Sequence, residues 1–387
     1  VDVGTEVLDI ICGAWNFEAG AVVPVAVPGA VLGGDFEITR RAIRGITSNG
    51  MICSETELDL GEDADGIMVL NDDYPESNDR IGEPFESLLD LPDLYLEVNV
   101  TPNRPDCLSV YGLARDLAAL FEVDLRDHGI EVSEVGEPSS VTVDVEVPEL
   151  NARFAGREVR GITVGPSPHW MRRRLELAGM RPISNVVDAS NYAMLEFGHP
   201  THAFDIERLG TRIVTRLAVP GETVVTLDDQ ERSLAASDIV VTDGESTVAI
   251  GGVMGGASTE VHEDTTDVFI EAAYWDPPSV LTTSKRLNLR SEASARFERG
   301  ADPMFCHLGA DRVAQLLVEI AGGSAAPGAI DIDAGGIRPW TVTYPLAETE
   351  RTLGIALERD ETASLLERLS FDVEGDDPLQ VTVPTRR

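Results

Sequence analysis

Apolar positions change period several times along the chain, and each change marks an element. From residue 1 to about 75 they come in short runs, DIICG, AVVPVAVPGAVL, DFEITRRAIRGI and GIMVL, with Gly and Pro between them. Short strands punctuated by turn residues predict a small β-barrel. Within it, RAIRGITSNGMICSETEL puts Gly45 and Gly50 at tight turns and Ser54 three residues before Glu57, the spacing of a capping box. An acidic linker, NDDYPESNDRIGEPFES, leads to DLYLEVNVTPNRPDC, read as a strand through Val100 and a turn pinned by Asn103, Arg104 and Asp106. Val110, Leu113, Leu117 and Leu120 then recur at helical spacing, which predicts a helix with that stripe facing inward. SVTVDVEVPEL and RFAGREVRGITV read as strands. Ser167 stands as a cap before Pro168 and the helix PHWMRRRLELAG, which Gly179 ends.

The stretch NVVDASNYAMLEFGHPTHAFD carries the densest chemistry. Val186, Ala189, Ala193 and Phe197 form one helical stripe, and Ser190 falls inside it, so its hydroxyl points at a packed surface or a pocket rather than at water. Gly198 and Pro200 stop the helix and deliver His199, His202 and Asp205 just beyond it. Residues 212 to 275 return to strands: TRIVTRLAV, ETVVTL, DIVVTD, STVAIGG and DVFIEAAYW. The Gly-rich GGVMGGAST before the last of these lacks both the P-loop's Lys-Ser/Thr and the Rossmann spacing, so it reads as backbone passing close to a neighbour or a ligand. Glu271 lies in the following strand between apolar Phe269, Ile270, Ala272 and Ala273, a carboxylate drawn into a pocket wall. Residues 278 to 320 read as helical, with small residues at Ser291, Ala293, Ser294 and Ala295 beside Arg296 and Arg299. After a Gly-rich linker, WTVTYPLAETERTLGIALERD begins a strand-helix-strand unit.

Composition narrows the class. A chain of 387 residues with 43% hydrophobic content has material for about two to four domains with real cores. No apolar run approaches the roughly 18 residues of a membrane helix. The chain opens on VDVGTEVLDI without Met or leader, so a fragment is expected. Net charge is −38 with a single lysine, Lys285, which argues against broad phosphate binding and leaves room for a local RNA site built from Arg172, Arg173 and Arg174. Cys12, Cys53, Cys107 and Cys306 form no C-x-x-C pair, as expected of a reducing, cytoplasmic setting.

Ser190, His199, His202, Asp205 and Glu271 leave several chemistries open. H-x-x-H-x-x-D offers three metal ligands, yet Pro200 breaks the segment and the spacing does not set both imidazoles on one helix face. Nucleophilic Ser-His catalysis lacks a G-x-S-x-G elbow. A recognition pocket for a small polar ligand and a water fits the same residues, and so does a turn satisfied by two histidines.

RGITSNGMICSETEL with GEDADGIMVL, VTPNRPDCLSVYGLARDLA, RPISNVVDASNYAMLEFGHPTHAFD, GGVMGGAST, FIEAAYWDP and LRSEASARFERGADP stand here in order. On these motifs the chain resembles the β-subunit family of bacterial-type phenylalanyl-tRNA synthetases over nearly its whole length. The resemblance implies a multidomain α+β chain. Its parts would be an OB-fold tRNA-binding β-barrel at 1–75, a partial α+β domain at 76–140, an α/β editing module with mixed and antiparallel sheets at 141–335, and a truncated small α+β domain at 336–387. It implies an aminoacyl-tRNA synthetase portion that hydrolyses Tyr-tRNA(Phe); the alternative is a scaffold and tRNA-binding portion without hydrolysis of its own. Such a module has a physical reason, since an apolar pocket rejects an added hydroxyl only about a hundredfold.

By the same resemblance Glu271 reads the phenol hydroxyl and His202 orients the ester or its attacking water. Ser190 stands where the family usually carries threonine, and Arg181 and Asn191 match polar residues of that site. Gly255 and Ala293 match small positions that leave room for an aromatic ring. His199 replaces a common glutamine at the pocket. Partners implied are tRNA(Phe) and an α subunit in an α2β2 heterotetramer, with no membrane. No metal or cofactor is expected in this portion, Mg2+ and ATP belonging to the complete enzyme.

Overall fold

The computed structural model describes every residue except 62, 63, 65, 72 and 90–93. The chain divides into two compact units, Val1–Val98 with Pro168–Pro182, and Asn99–Ser167 with Ile183–Arg387.

The first unit is built from very short strands. Val25–Ala26 pairs with Met51–Ile52, Val31–Leu32 with Phe36–Glu37, and Arg41–Ile43 with Ile46–Ser48, all antiparallel. DIICG and GIMVL, expected as strands, run extended without a named ladder; the Met68 and Leu70 amides donate singly to the Cys53 and Val22 carbonyls. Residues 94–100 likewise form no strand, and residue 93, where that expectation begins, lies outside the described residues. The Ser54–Glu57 box is present: the Ser54 amide donates to Glu57 Oε2 at 2.8 Å and the Glu57 amide to Ser54 Oγ at 3.3 Å, over a single 3-10 turn. The helix His169–Leu177 starts at Pro168 with no side-chain cap. Ser167 is not its cap; its hydroxyl donates instead to buried Asp188 Oδ2 at 2.6 Å, because a charged acceptor without water makes the stronger bond.

The second unit begins with α1 (Val110–Phe121), β1 (Thr142–Val145), β2 (Arg153–Arg160), α2 (Asn185–Phe197) and β3 (His202–Asp205). There follow β4 (Arg212–Leu217), β5 (Ile239–Thr242), β6 (Thr247–Ile250), β7 (Met254–Gly255) and β8 (Asp267–Tyr274). Helices α3 (Pro277–Leu287), α4 (Glu292–Phe297) and α5 (Cys306–Ala321) come next, then β9 (Ser324–Ala325) and β10 (Ile330–Asp333). A last group comprises β11 (Trp340–Tyr344), α6 (Ala347–Leu353), α7 (Arg359–Arg368), β12 (Asp372–Glu374) and β13 (Leu379–Val383), its strands forming one antiparallel sheet in the order β11-β13-β12.

Two five-stranded sheets position the site. One runs β7-β6-β5-β4-β1, antiparallel except for the parallel β4–β1 pair. The other is antiparallel, with β8 between β2 and β3 and with β9 and β10 both on the far side of β2. Successive side chains on β8 alternate between faces. Phe269 and Ala273 join Phe154, Phe204, Ile213, Val240 and Ile250 in the core, so the face carrying residue 271 is turned toward the first sheet. The opposite face is covered by α5, whose Val313, Leu316 and Leu317 are buried. The expectation of an α+β chain with several sheets holds.

The α1 stripe departs from expectation. Val110, Leu117 and Leu120 are 64%, 50% and 71% exposed, while Gly112 and Arg115 are the buried positions. Periodicity finds a stripe but does not say which neighbour covers it. The inward side is fixed by Gly112, where a Cβ would lie 1.7 Å from the Asp106 carbonyl oxygen. Among the described residues no helix is long and apolar enough to cross a membrane.

Candidate active site

The α2 helix sets the first wall. Ser184 caps it by accepting from the Val187 amide, Val186, Ala189, Ala193 and Phe197 are all buried, and Gly198 ends it at φ 76°. Asp188, fully buried, ties the start down by accepting from the Ile183 amide at 2.8 Å as well as from Ser167. On this helix the Ser190 hydroxyl is buried and makes no hydrogen bond, and Asn191 beside it is half-buried.

Strand pairing then sets two polar groups side by side. In the β8–β3 ladder Glu271 lies directly opposite His202, a position in which side chains share a face with Cβ atoms about 5 Å apart. Glu271 is 7% exposed, and neither its Oε2 nor His202 Nε2 has a hydrogen-bond partner. Burial pushes the Glu271 carboxyl up to about 8 and the His202 imidazole down to about 4. Both are therefore uncharged at neutral pH, since removing an isolated charge from water costs more than moving the proton. The His202 ring stands edge-on against Phe204, with centroids 4.4 Å apart, which fixes its plane.

Gly255 on β7 closes the far side. A Cβ there would sit 2.4 Å from His202 Cε1 and 3.1 Å from Leu227 Cδ1, so only glycine lets the first sheet approach the imidazole this closely. Gly256 is packed in the same way against the Val248 carbonyl, and Gly251 and Gly252 against the Trp275 ring. The Gly-rich stretch is thus close-approach backbone. Leu227, brought beside Gly255 by its amide bond to the Gly255 carbonyl at 3.1 Å, is a wall residue that the sequence did not mark. No pattern announces it, because it sits in the turn of the hairpin Thr223–Val225/Glu231–Ser233. Ala293 on α4 is half-buried against the core, and Ser291 and Ser294 on either side of it form a reciprocal cap.

Other candidates lie elsewhere. His199 is fully buried, edge-on to Phe297 at 5.9 Å, and lines a small cavity with Arg115, Phe305 and Arg386. Asp205 accepts from Thr265 Oγ1 at 2.6 Å and caps the turn Ile206–Leu209. Three residues apart on a strand, His202 and Asp205 point to opposite faces, so the three would-be metal ligands do not converge. Among the described residues, Asp106, Cys107 and Asp116 do cluster, but Arg104 fills that cluster, donating to Cys107 Sγ at 2.7 Å and Asp116 Oδ2 at 2.6 Å. Arg181 belongs to the first unit and is exposed. There too, Arg172 pairs with Asp73 at 3.0 Å and Arg174 lies over the Trp170 ring, 5.4 Å from its centroid; Arg173 sits between them on the same helix.

Comparison with known proteins adds three family models: a tRNA binding domain over residues 1–79, a B3/4 domain over 150–322 and a tRNA synthetase B5 domain over 342–387. Together they define a portion of an aminoacyl-tRNA synthetase. Among curated relatives, the phenylalanine–tRNA ligase β subunits of Geobacter sulfurreducens and Halalkalibacterium halodurans are each 45% identical to this chain over its whole length, covering 48% and 49% of their own. The chain belongs to the phenylalanine–tRNA ligase β-subunit family and spans about half the length of the curated relatives it matches. A solved N-terminal fragment of the phenylalanyl-tRNA synthetase β-subunit from Pyrococcus horikoshii aligns with a TM-score of 0.34 at 17% identity, over 74% of this chain and 80% of that one.

Proposed function

We propose that this chain is the tRNA-binding and editing portion of a phenylalanine–tRNA ligase β subunit, and that the pocket around Glu271 hydrolyses Tyr-tRNA(Phe). One observation carries the reading: a buried carboxyl with a free oxygen stands across a strand ladder from an imidazole whose Nε2 is unpartnered, with Gly255 packed directly against that ring. A phenol reaching that oxygen exchanges hydrogen bonds with water for one with Glu271. Phenylalanine would leave the same oxygen desolvated and unpaired, at a cost of about 1–3 kcal/mol. His202, neutral, orients the attacking water at the ester carbonyl carbon. Water adds there, the bond to the ribose oxygen breaks, and that oxygen leaves with a proton as the tRNA hydroxyl. The Ser190 hydroxyl and Asn191 position the ester, and no covalent enzyme intermediate forms. Arg181 is assigned to the reaction only through its place in the matched motif.

In this reading residues 1–75 form an OB-fold that holds tRNA with help from Arg172, Arg173 and Arg174. Residues 76–140 belong to a partial α+β domain, 141–335 to the editing module and 336–387 to a further small domain. The complete enzyme is a cytoplasmic α2β2 heterotetramer that joins phenylalanine to tRNA(Phe) with ATP and Mg2+, which act outside this portion.

The test is tyrosine release from Tyr-tRNA(Phe) by this chain and by Glu271→Ala, with Phe-tRNA(Phe) as control. The unmodified chain is expected to release tyrosine selectively and the variant to lose at least about tenfold in rate along with its selectivity. An inert chain beside an active full α/β enzyme would replace this reading with that of a scaffold whose pocket needs the remaining domains.

A further inference from the structure

A second candidate site lies away from Glu271. A cavity of about 20 Å³, room for one water or one monatomic ion, is lined by Arg115 of α1, Asp106, His199, Asp302, Phe305 and Arg386. Arg115 is 8% exposed, and among the described residues its guanidinium has no ion pair or hydrogen bond, only the face of Tyr111 at 5.2 Å. Arg386 spends one nitrogen on the Leu369 carbonyl at 2.5 Å, and its Nε is buried without a partner. His199, 0% exposed, lines the cavity, with the Ala273 carbonyl beside its ring.

The carboxylates nearby are already engaged. Asp106 pairs with Arg104 at 3.0 Å and lies 3.7 Å from Arg387, and Asp302 accepts from the Met304 amide and from Thr385 Oγ1. Two guanidinium groups thus line one small cavity, where the charge of Arg115 disfavours that of Arg386. Burial, and then the charge of Arg115, hold Arg386 down at about 10. Two neighbouring like charges with open donors are stabilised by a counter-ion between them.

We propose that this cavity binds one small monovalent anion, chloride in solution, held by Arg115 and Arg386. The site adds to the editing reading and does not depend on it.

Crystals of this chain grown with sodium bromide, measured at the bromine absorption edge, are expected to show one anomalous peak in the cavity, absent from Arg115→Gln crystals. In solution, replacing chloride by gluconate at constant ionic strength is expected to lower Tm by about 2 °C, which separates anion binding from screening of the −38 charge. Should Arg115→Gln fail to fold, Arg386→Gln, on the terminal segment, is expected to abolish the chloride dependence while keeping the fold. A water in place of bromide, or equal Tm in both salts for the unmodified chain, overturns the proposal.

Discussion

Glu271 and His202 face one another without charge at neutral pH, and this has a measurable sign. An unfolded glutamate loses its proton near 4.5, whereas the folded Glu271 keeps it to about 8, so folding takes up a proton between those values and stability falls as pH rises. Glu271→Gln removes that dependence. The variant is expected to gain stability relative to the parent between about pH 5 and pH 8, by on the order of a few kcal/mol at the upper end, in urea titrations at both pH values. His202 acts in the opposite sense: its folded value of about 4 lies below the ordinary 6.5, so its contribution is present above 6.5 and fades as pH drops toward 4. Gly255→Ala tests the space rather than the charge. The new methyl would collide with His202 Cε1, and tyrosine release is expected to fall about tenfold or more with an unchanged far-UV circular dichroism spectrum.

At the scale of elements, the site depends on where α2 stops. Gly198 adopts φ 76°, and a Cβ there would also come within 3.1 Å of Ser109 Cβ. Gly198→Ala is expected to cost about 1–3 kcal/mol, read as a Tm lower by roughly 2–6 °C, because both backbone strain and crowding oppose it. That stop was legible in the sequence, as were α2 and β8, since a 3.6-residue stripe with a glycine end and an apolar run around one carboxylate are local patterns. The buried Glu271 could be suspected for the same reason. Its pairing with His202 could not, because register between β3 and β8 is set by residues some 70 positions apart. The outward face of α1 and the true partner of Ser167 were missed because each is decided by a packing contact, Gly112 on the Asp106 carbonyl and Ser167 on Asp188, that periodicity does not encode. His199 shows the same limit: it stands three residues before His202 yet lines a different cavity.

Over the whole molecule, charge opposes RNA. With a net charge of −38, the tRNA contact proposed here rests on local cations, and Arg172 is already drawn to Asp73. If two or three phosphates are neutralised, a plot of log affinity against log salt for this chain and tRNA(Phe) is expected to have a slope of only about −2. A slope several times steeper would mean a binding face much broader than the arginines of one helix. The second unit has a different consequence in its central strand. β8 is bonded on both sides, to β2 and to β3, at the very position of Glu271. Such a strand cannot loosen by itself. In deuterated water the amides from Ile270 to Ala272 should exchange only when the entire sheet opens, so on heating no folded form with a blunted sensor accumulates. On the proposed editing reading, discrimination between the two amino acids and the fold that supports it vanish at one temperature.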